Sequence, residues 1–305
     1  MNEIDGGLLR TLAFRAAEGY PPSFYEWITQ AEVHRGIGLQ EVEAAAKALI
    51  REGKVKESRG RVVLPGCQKD IAEHEQRRAL FHAKMRKAKK VAKWLASQTS
   101  VRFIALCNTT ALAHAREDSD LDFFVITSAG TIWQTRLISA APYKLLGKRP
   151  GARESDADAV CLSFFIDETT LSLEGLQLTK YARKQDPYLR YWFLSLLPLY
   201  DDGIARTFWK ENAWVTETHG LATEWIAHPD FKVRSMRARL PSFRFMEHVA
   251  KRMQSRAFPK TMLDAANQDT SVVINDHILK FHTVDRRASF RDTYESICQT
   301  IHISP

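Results

Sequence analysis

The sequence predicts an α+β protein with a helical N-terminal unit, a strand-bearing core and a helical C-terminal domain. Three observations predict it. Helix-period segments fill the first fifty residues and lead into two short extended runs around a glycine turn. Three apolar extended runs, Val101–Leu106, Leu121–Thr127 and 160–166, sit mid-chain. Beyond Asp167 the chain reads as helical almost to its end, with breaks near Pro187, Pro198, Pro229, Pro241 and Pro259. At 305 residues there is length for two or three cores, and 45% hydrophobic with 26% charged residues is a globular balance, not a disordered one.

The first element, 8–17, has apolar residues at helical spacing and is ended by Gly19-Tyr20-Pro21-Pro22. Ser23 with Glu26 three residues on is a capping box for a second helix carrying Phe24, Trp27 and Ile28. Gly36-Ile37-Gly38 breaks the chain again. Leu39–Arg51 places Val42, Ala45, Ala46, Leu49 and Ile50 on one side, and Gly53 stops it. Residues 54–58 and 61–66 then flank the turn Arg59-Gly60 as a hairpin. Three helices followed by a hairpin is the layout of a winged helix, whose third helix is the DNA-reading one. Here that helix exposes Gln40, Glu41, Glu43 and Lys47, too few bases for a groove reader, so a packing or protein-interaction role is favoured over sequence-specific DNA binding.

A long helix, 69–96, follows and carries much of the net charge of +8. From 77 to 93 the bases are Arg77, Arg78, Lys84, Arg86, Lys87, Lys89, Lys90 and Lys93, with no acid. A second basic stretch holds Lys232, Arg234, Arg237, Arg239, Arg244, Lys251, Arg252 and Arg256, offset by Glu247. Each suits either a phosphate-bearing partner, RNA or DNA among them, or a solvated helix face. A helix over 131–146 separates the second and third strands, and the Gly-, Pro- and charge-rich loop 147–158 belongs at the surface. The expected division is 1–66, a winged-helix-like domain; 67–99, a basic linker helix; 100–200, the core; and 201–305, the helical C-terminal domain.

Cys67, Cys107, Cys161 and Cys298 are scattered, without zinc spacing, and Cys107 and Cys161 sit in apolar runs as small core residues. No apolar run reaches the roughly 18 residues of a membrane span, and the start of the chain lacks a basic stretch followed by an apolar one. A membrane partner is not expected, and the cytoplasm is the expected location.

The segment with interpretable chemistry runs from Val101 to Thr127. Asp120 and Asp122 open a strand, so their side chains share one side about 6.7 Å apart along it, while Leu121, Phe123 and Val125 face the other side and suit a core. Two carboxylates on the open face of a sheet can share divalent ions, the arrangement that phosphoryl and nucleotidyl transfer use.

Asn108-Thr109, a gap of about ten residues, then Ser119-Asp120-Leu121-Asp122 and an apolar strand resembles the signature of the polymerase-β-like nucleotidyltransferase superfamily, especially its minimal members. Trp133 through Arg136, Cys161-Leu162 and Phe281-His282 extend the likeness to a bacterial group in which a winged helix and a basic helix precede the motif. The resemblance implies a nucleotidyltransferase core with a small mixed sheet, in which Asp120 and Asp122 bind Mg²⁺ (or Mn²⁺). Asn108, Thr109 and Ser119 would line the nucleotide site, the turn opening a helix whose amides hold the triphosphate. It also implies a third carboxylate near a later strand, for which Asp158 is the candidate and Asp156 the alternative. The family's Gly-Ser is Asn-Thr here. Asparagine tolerates a left-handed backbone better than most residues, and threonine keeps the hydroxyl. The implied reaction moves a nucleoside monophosphate from an NTP to a hydroxyl of a small molecule, protein or RNA end. The rivals are a nucleotide- or nucleic-acid-binding protein without catalysis and a winged-helix DNA-binding regulator. His114 reads as an exposed or capping residue rather than a nucleotide contact, Trp133 as core, Arg136 as a phosphate or acid partner, and His282 as structural.

Overall fold

A computed structural model describes residues 2–151, 155–178, 186–226, 228–235 and 240–305. The N-terminal unit comprises α1 (Glu3–Ala17), α2 (Phe24–Thr29), α3 (Leu39–Arg51) and the hairpin β1 (Lys56–Ser58)–β2 (Arg61–Val63). Its local signals are realised. The Ser23 hydroxyl accepts from the Glu26 amide at 3.1 Å, and the Glu26 carboxylate accepts from the Ser23 amide at 2.7 Å. Gly53 ends α3 with φ +73°, and Arg59 and Gly60 both take positive φ, as a two-residue hairpin turn of matching twist demands.

The expected helix over 69–96 is two helices, α4 (Lys69–Arg78) and α5 (Phe81–Leu95). No glycine or proline breaks them. They serve different neighbours: α4 sets His74 against Tyr20 of the N-terminal unit, whereas α5 lays Met85, Ala88, Val91, Ala92 and Leu95 on the central sheet. The direction changes between these two attachments.

Next come β3 (Val101–Leu106), α6 (Asn108–Ala111), β4 (Leu121–Thr127), α7 (Ile132–Leu145) and β5 (Val160–Asp167). Strands β3 and β4 are antiparallel, and β5 lies parallel to β4, as the α7 crossover between them allows. The segment expected to be helical contains α8 (Pro187–Leu194), β6 (Leu197–Asp201), α9 (Ala205–Glu211), α10 (Ala213–Thr218), α11 (Arg244–Ala257), α12 (Lys260–Ala265), β7 (Val272–Ile274), β8 (Ile278–Phe281) and α13 (Arg287–Thr300). Its three strands complete a six-stranded mixed sheet ordered β6-β3-β4-β5-β8-β7. Pro198, a helix break by sequence, sits in the edge strand β6 beside a register shift against β3, a place in a sheet that tolerates proline.

Both faces of the sheet are covered. Leu121, Phe123 and Val125 join α5, α7 and Ala250 of α11 in one core. Phe124 and Ile126 join Phe164, Leu189, Trp192, Phe193 and Phe208 in the other. A third core fills the N-terminal unit, and it is not self-contained. It includes Tyr191 of α8 and Tyr294 and Cys298 of α13, with the Phe14 and Tyr191 rings stacked at 4.3 Å. Residues 201–305 therefore supply two strands to the central sheet and a helix to the N-terminal core. No helix among the described residues is long and apolar enough to cross a membrane.

Candidate functional site

The two-residue alternation that buries Phe124 and Ile126 carries Asp122, and Asp120 before it, to the end of the sheet where that second core stops. Register then adds a third group. Asp122 pairs with Cys161 on β5, and ligand atoms of Asp120, Asp122 and Cys161 all lie within 4.8 Å of one another. Cys161, expected to be a core residue, thus belongs to the site. Its alternation and apolar neighbours gave the correct strand, but only pairing with β4 places the thiol beside the carboxylates.

Burial, then the Asp122 charge, then that of Asp156, pushes the Asp120 carboxyl up to about 7. Burial also raises Asp122, against a hydrogen bond from Asn108. Burial and the two acids raise the Cys161 thiol. Among the described residues no salt bridge reaches either carboxylate, so two acids in a desolvated corner repel each other without a cation.

Asn108 is the first residue of α6 and holds φ +58°, the left-handed conformation expected at the motif turn. Its amide group donates to Asp122 Oδ2 at 2.8 Å and its carbonyl accepts from the Tyr188 hydroxyl at 3.4 Å. Thr109 is exposed beside it. Ser119 shapes the loop: its hydroxyl accepts from the Arg116 amide at 2.9 Å, and its carbonyl accepts from Lys84 at 2.6 Å.

Asp158 is not in the Asp120–Asp122–Cys161 group. It turns through φ +57° and its carboxylate is held by Lys84, at 3.4 Å, and by Lys87, both on α5. The alternative, Asp156, accepts from the Gly151 amide at 2.7 Å and lies near enough to Asp120 to raise it. The basic run on α5 is therefore partly spent inside the protein. Lys84 is buried, donating to the carbonyls of Glu117 and Ser119 as well as to Asp158. Lys89 donates to the Asp230 carbonyl, while Arg78, Arg86, Lys90 and Lys93 remain exposed. In the second stretch, Arg237 and Arg239 and the Arg244 side chain lie outside the described residues.

His114 is neither exposed nor a cap. It is buried, its Nδ1 lies 3.0 Å from His74 Nδ1, and Tyr20 packs edge-on against both rings. Burial and then Arg77 push it down to about 3, so it stays neutral. Arg136 meets no acid among the described residues. It donates to Gln254 and lies 4.3 Å over the Phe281 ring. Trp133 is core as expected, its indole donating to Asp276 at 2.9 Å. His282 sits 3.3 Å from Ser163, whose hydroxyl accepts from Cys161 at 3.3 Å, and its ring packs edge-on against Phe164. Comparison with protein-family models, with curated proteins and with solved structures finds no match to this chain.

Proposed function

We propose that the chain transfers a nucleoside monophosphate from an NTP to a hydroxyl acceptor, with Mg²⁺ or Mn²⁺. The observation that carries this reading is the pair of buried carboxylates, Asp120 and Asp122, side by side at a sheet end with no cation paired to them among the described residues. Such a pair is unfavourable alone and favourable around a divalent ion. The donor set fits: two hard carboxylates are what Mg²⁺ selects, and the softer Cys161 thiol beside them suits Mn²⁺ better than Mg²⁺. Asp120 and Asp122 would hold the ion, which when bound neutralises charge on phosphate oxygens. Asn108 orients Asp122 through its 2.8 Å bond, and the Asn108-Thr109 turn offers the exposed threonine hydroxyl to a phosphate. The acceptor hydroxyl gives up its proton to solvent as its oxygen attacks the α-phosphorus and the bond to pyrophosphate breaks. The exposed bases of α5 suit an RNA, DNA or acidic protein acceptor.

One observation favours a second reading, nucleotide binding without transfer. The Asn108 amide occupies an Asp122 oxygen that a metal ion would use. The two readings separate on incubation with labelled NTPs, Mg²⁺ or Mn²⁺ and lysate, because only the first puts label on an acceptor. Both require that Asp120→Asn and Asp122→Asn lose Mg²⁺-dependent NTP binding while staying folded. Parent-like binding of Mg-NTP by both variants overturns both readings.

A further inference from the structure

A small cleft, open to solvent, lies against the Asn108-Thr109 turn. Its walls come from four separate parts of the chain: Glu18 and Tyr20 follow α1, Leu112 follows α6, Tyr188 and Trp192 lie on α8, and Phe290 lies on α13. Four of these six are aromatic. Tyr188 and Phe290 stack on each other with centroids 5.4 Å apart and planes 25° from parallel. Trp192 packs on Phe164 and Phe124, and Tyr20 packs on His74 and on His114, which also lines the cleft. Trp192 and Tyr20 are buried, so the rings that keep exposed surface are the half-buried Tyr188 and Phe290, preorganised by their packing.

The charge distribution separates the cleft from the turn. No lysine or arginine lines it among the described residues, and its one acid, Glu18, is held by Arg15 at 2.6 Å. A phosphate chain in this cleft would meet a carboxylate and aromatic faces with no compensating cation. The cleft also meets Asn108 and Thr109, beside the metal-binding carboxylates of the proposed function. Phosphates therefore belong at the turn, and a flat, uncharged group belongs against the half-buried Tyr188 and Phe290 rings.

We propose that the base of the nucleotide stacks in this cleft, so that the N-terminal unit and α13 form the base-binding wall of the site. This rests on the nucleotide-binding reading above and assigns the part of the molecule that recognises the nucleoside. It also gives the N-terminal unit a role that does not involve a DNA groove.

Phe290 tests it, because the residue is half-buried, on α13, and touches neither Asp120 nor Asp122. Calorimetric titration of the full chain with Mg-ATP and with Mg-tripolyphosphate separates base from phosphate. Loss of one stacking ring weakens base binding by about tenfold. The expected result is that Phe290→Ala binds Mg-ATP about tenfold more weakly, binds Mg-tripolyphosphate as the parent does, and that Phe290→Tyr restores Mg-ATP binding. Equal Mg-ATP affinity in parent and Phe290→Ala overturns the base cleft while leaving the nucleotide reading standing. Parallel weakening of both ligands also overturns it, since the effect then travels through Tyr188 to Asn108. A parent that binds neither ligand overturns the nucleotide reading itself.

Discussion

Lys84 and Lys87 lie three residues apart on α5, both reach Asp158, and the structure assigns them very different weights. The Lys84 side chain is 5% exposed and donates to the Ser119 carbonyl at 2.6 Å and the Glu117 carbonyl at 3.2 Å, besides Asp158 at 3.4 Å. The Lys87 side chain is 54% exposed and meets Asp158 alone. Lys84→Met keeps the packing of the stem and removes the ammonium. A hydrogen bond from a charged donor contributes about 1.5–3 kcal/mol, and breaking a fully buried pair costs about 3–5 kcal/mol. Asp158 is a quarter exposed and keeps Lys87, and Ser119 O keeps the Asp158 amide, so the lower end applies, about 2 kcal/mol. Lys87→Met removes the same charge from a solvated pair and should cost under about 0.5 kcal/mol. Urea unfolding of parent and both variants measures the difference. Because Lys84 fixes the loop that delivers Asp120, Lys84→Met should also weaken Mg-ATP binding, whereas Lys87→Met should not. Equal destabilisation by the two substitutions would refute the assignment of Lys84 as an internal strut.

Two further outcomes follow from the acid pair. Asp120 is raised, so the folded chain keeps a proton that the unfolded chain has released. The resulting stability is complete below the unfolded value near 4 and is lost as pH rises through about 7. In EDTA, Asp120→Asn should therefore melt higher than the parent at pH 8 and close to it at pH 4, and the same difference at both pH values would contradict the burial-and-repulsion account. Cys161→Asp replaces the soft donor by a hard one and should raise Mg²⁺ affinity several-fold in calorimetric titration, since Mg²⁺ prefers oxygen; an affinity equal to the parent's would place residue 161 outside the reach of the ion.

The parts of this molecule that sequence could reveal are those decided by neighbours in the chain. The Ser23–Glu26 box, the glycine stop at Gly53 and the alternation that separates Asp122 from Leu121 and Phe123 are local, and each is found where its pattern puts it. Asn108 likewise takes a left-handed backbone, a conformation that asparagine tolerates better than most residues. What was not legible depends on partners far along the chain. Lys84 and Lys90 are the same residue in the same basic run, and only the fold distinguishes a buried strut from an exposed side chain. Cys161 reads as an apolar-strand residue until its register opposite Asp122 is known. Strands β7 and β8 hold three and four residues, too few for a period to emerge, and β8 is buried along its whole length and shows no alternation. Asp158 has the right residue type near the right strand, but two lysines from α5 claim it.

The helix α8 shows why the N-terminal unit cannot be treated as an appendage to the site. Within two turns it meets three parts of the protein. Tyr188 donates to Asn108 at the motif turn, Tyr191 stacks on Phe14 in the N-terminal core and donates to Thr11 at 3.0 Å, and Leu189, Trp192 and Phe193 fill the core beneath the sheet. Tyr188 and Tyr191 are three residues apart, so they are neighbours on one side of a rigid element. The position of Asn108, and through its 2.8 Å bond that of Asp122, is thus tied by one helix to the seating of α1. The opposite end of the chain enters the same arrangement, since Tyr294 of α13 packs edge-on against Phe14 while Phe290, one turn earlier, stacks on Tyr188. A rearrangement of the N-terminal core therefore reaches α8 through Tyr191, and α8 reaches the residue that orients Asp122 through Tyr188.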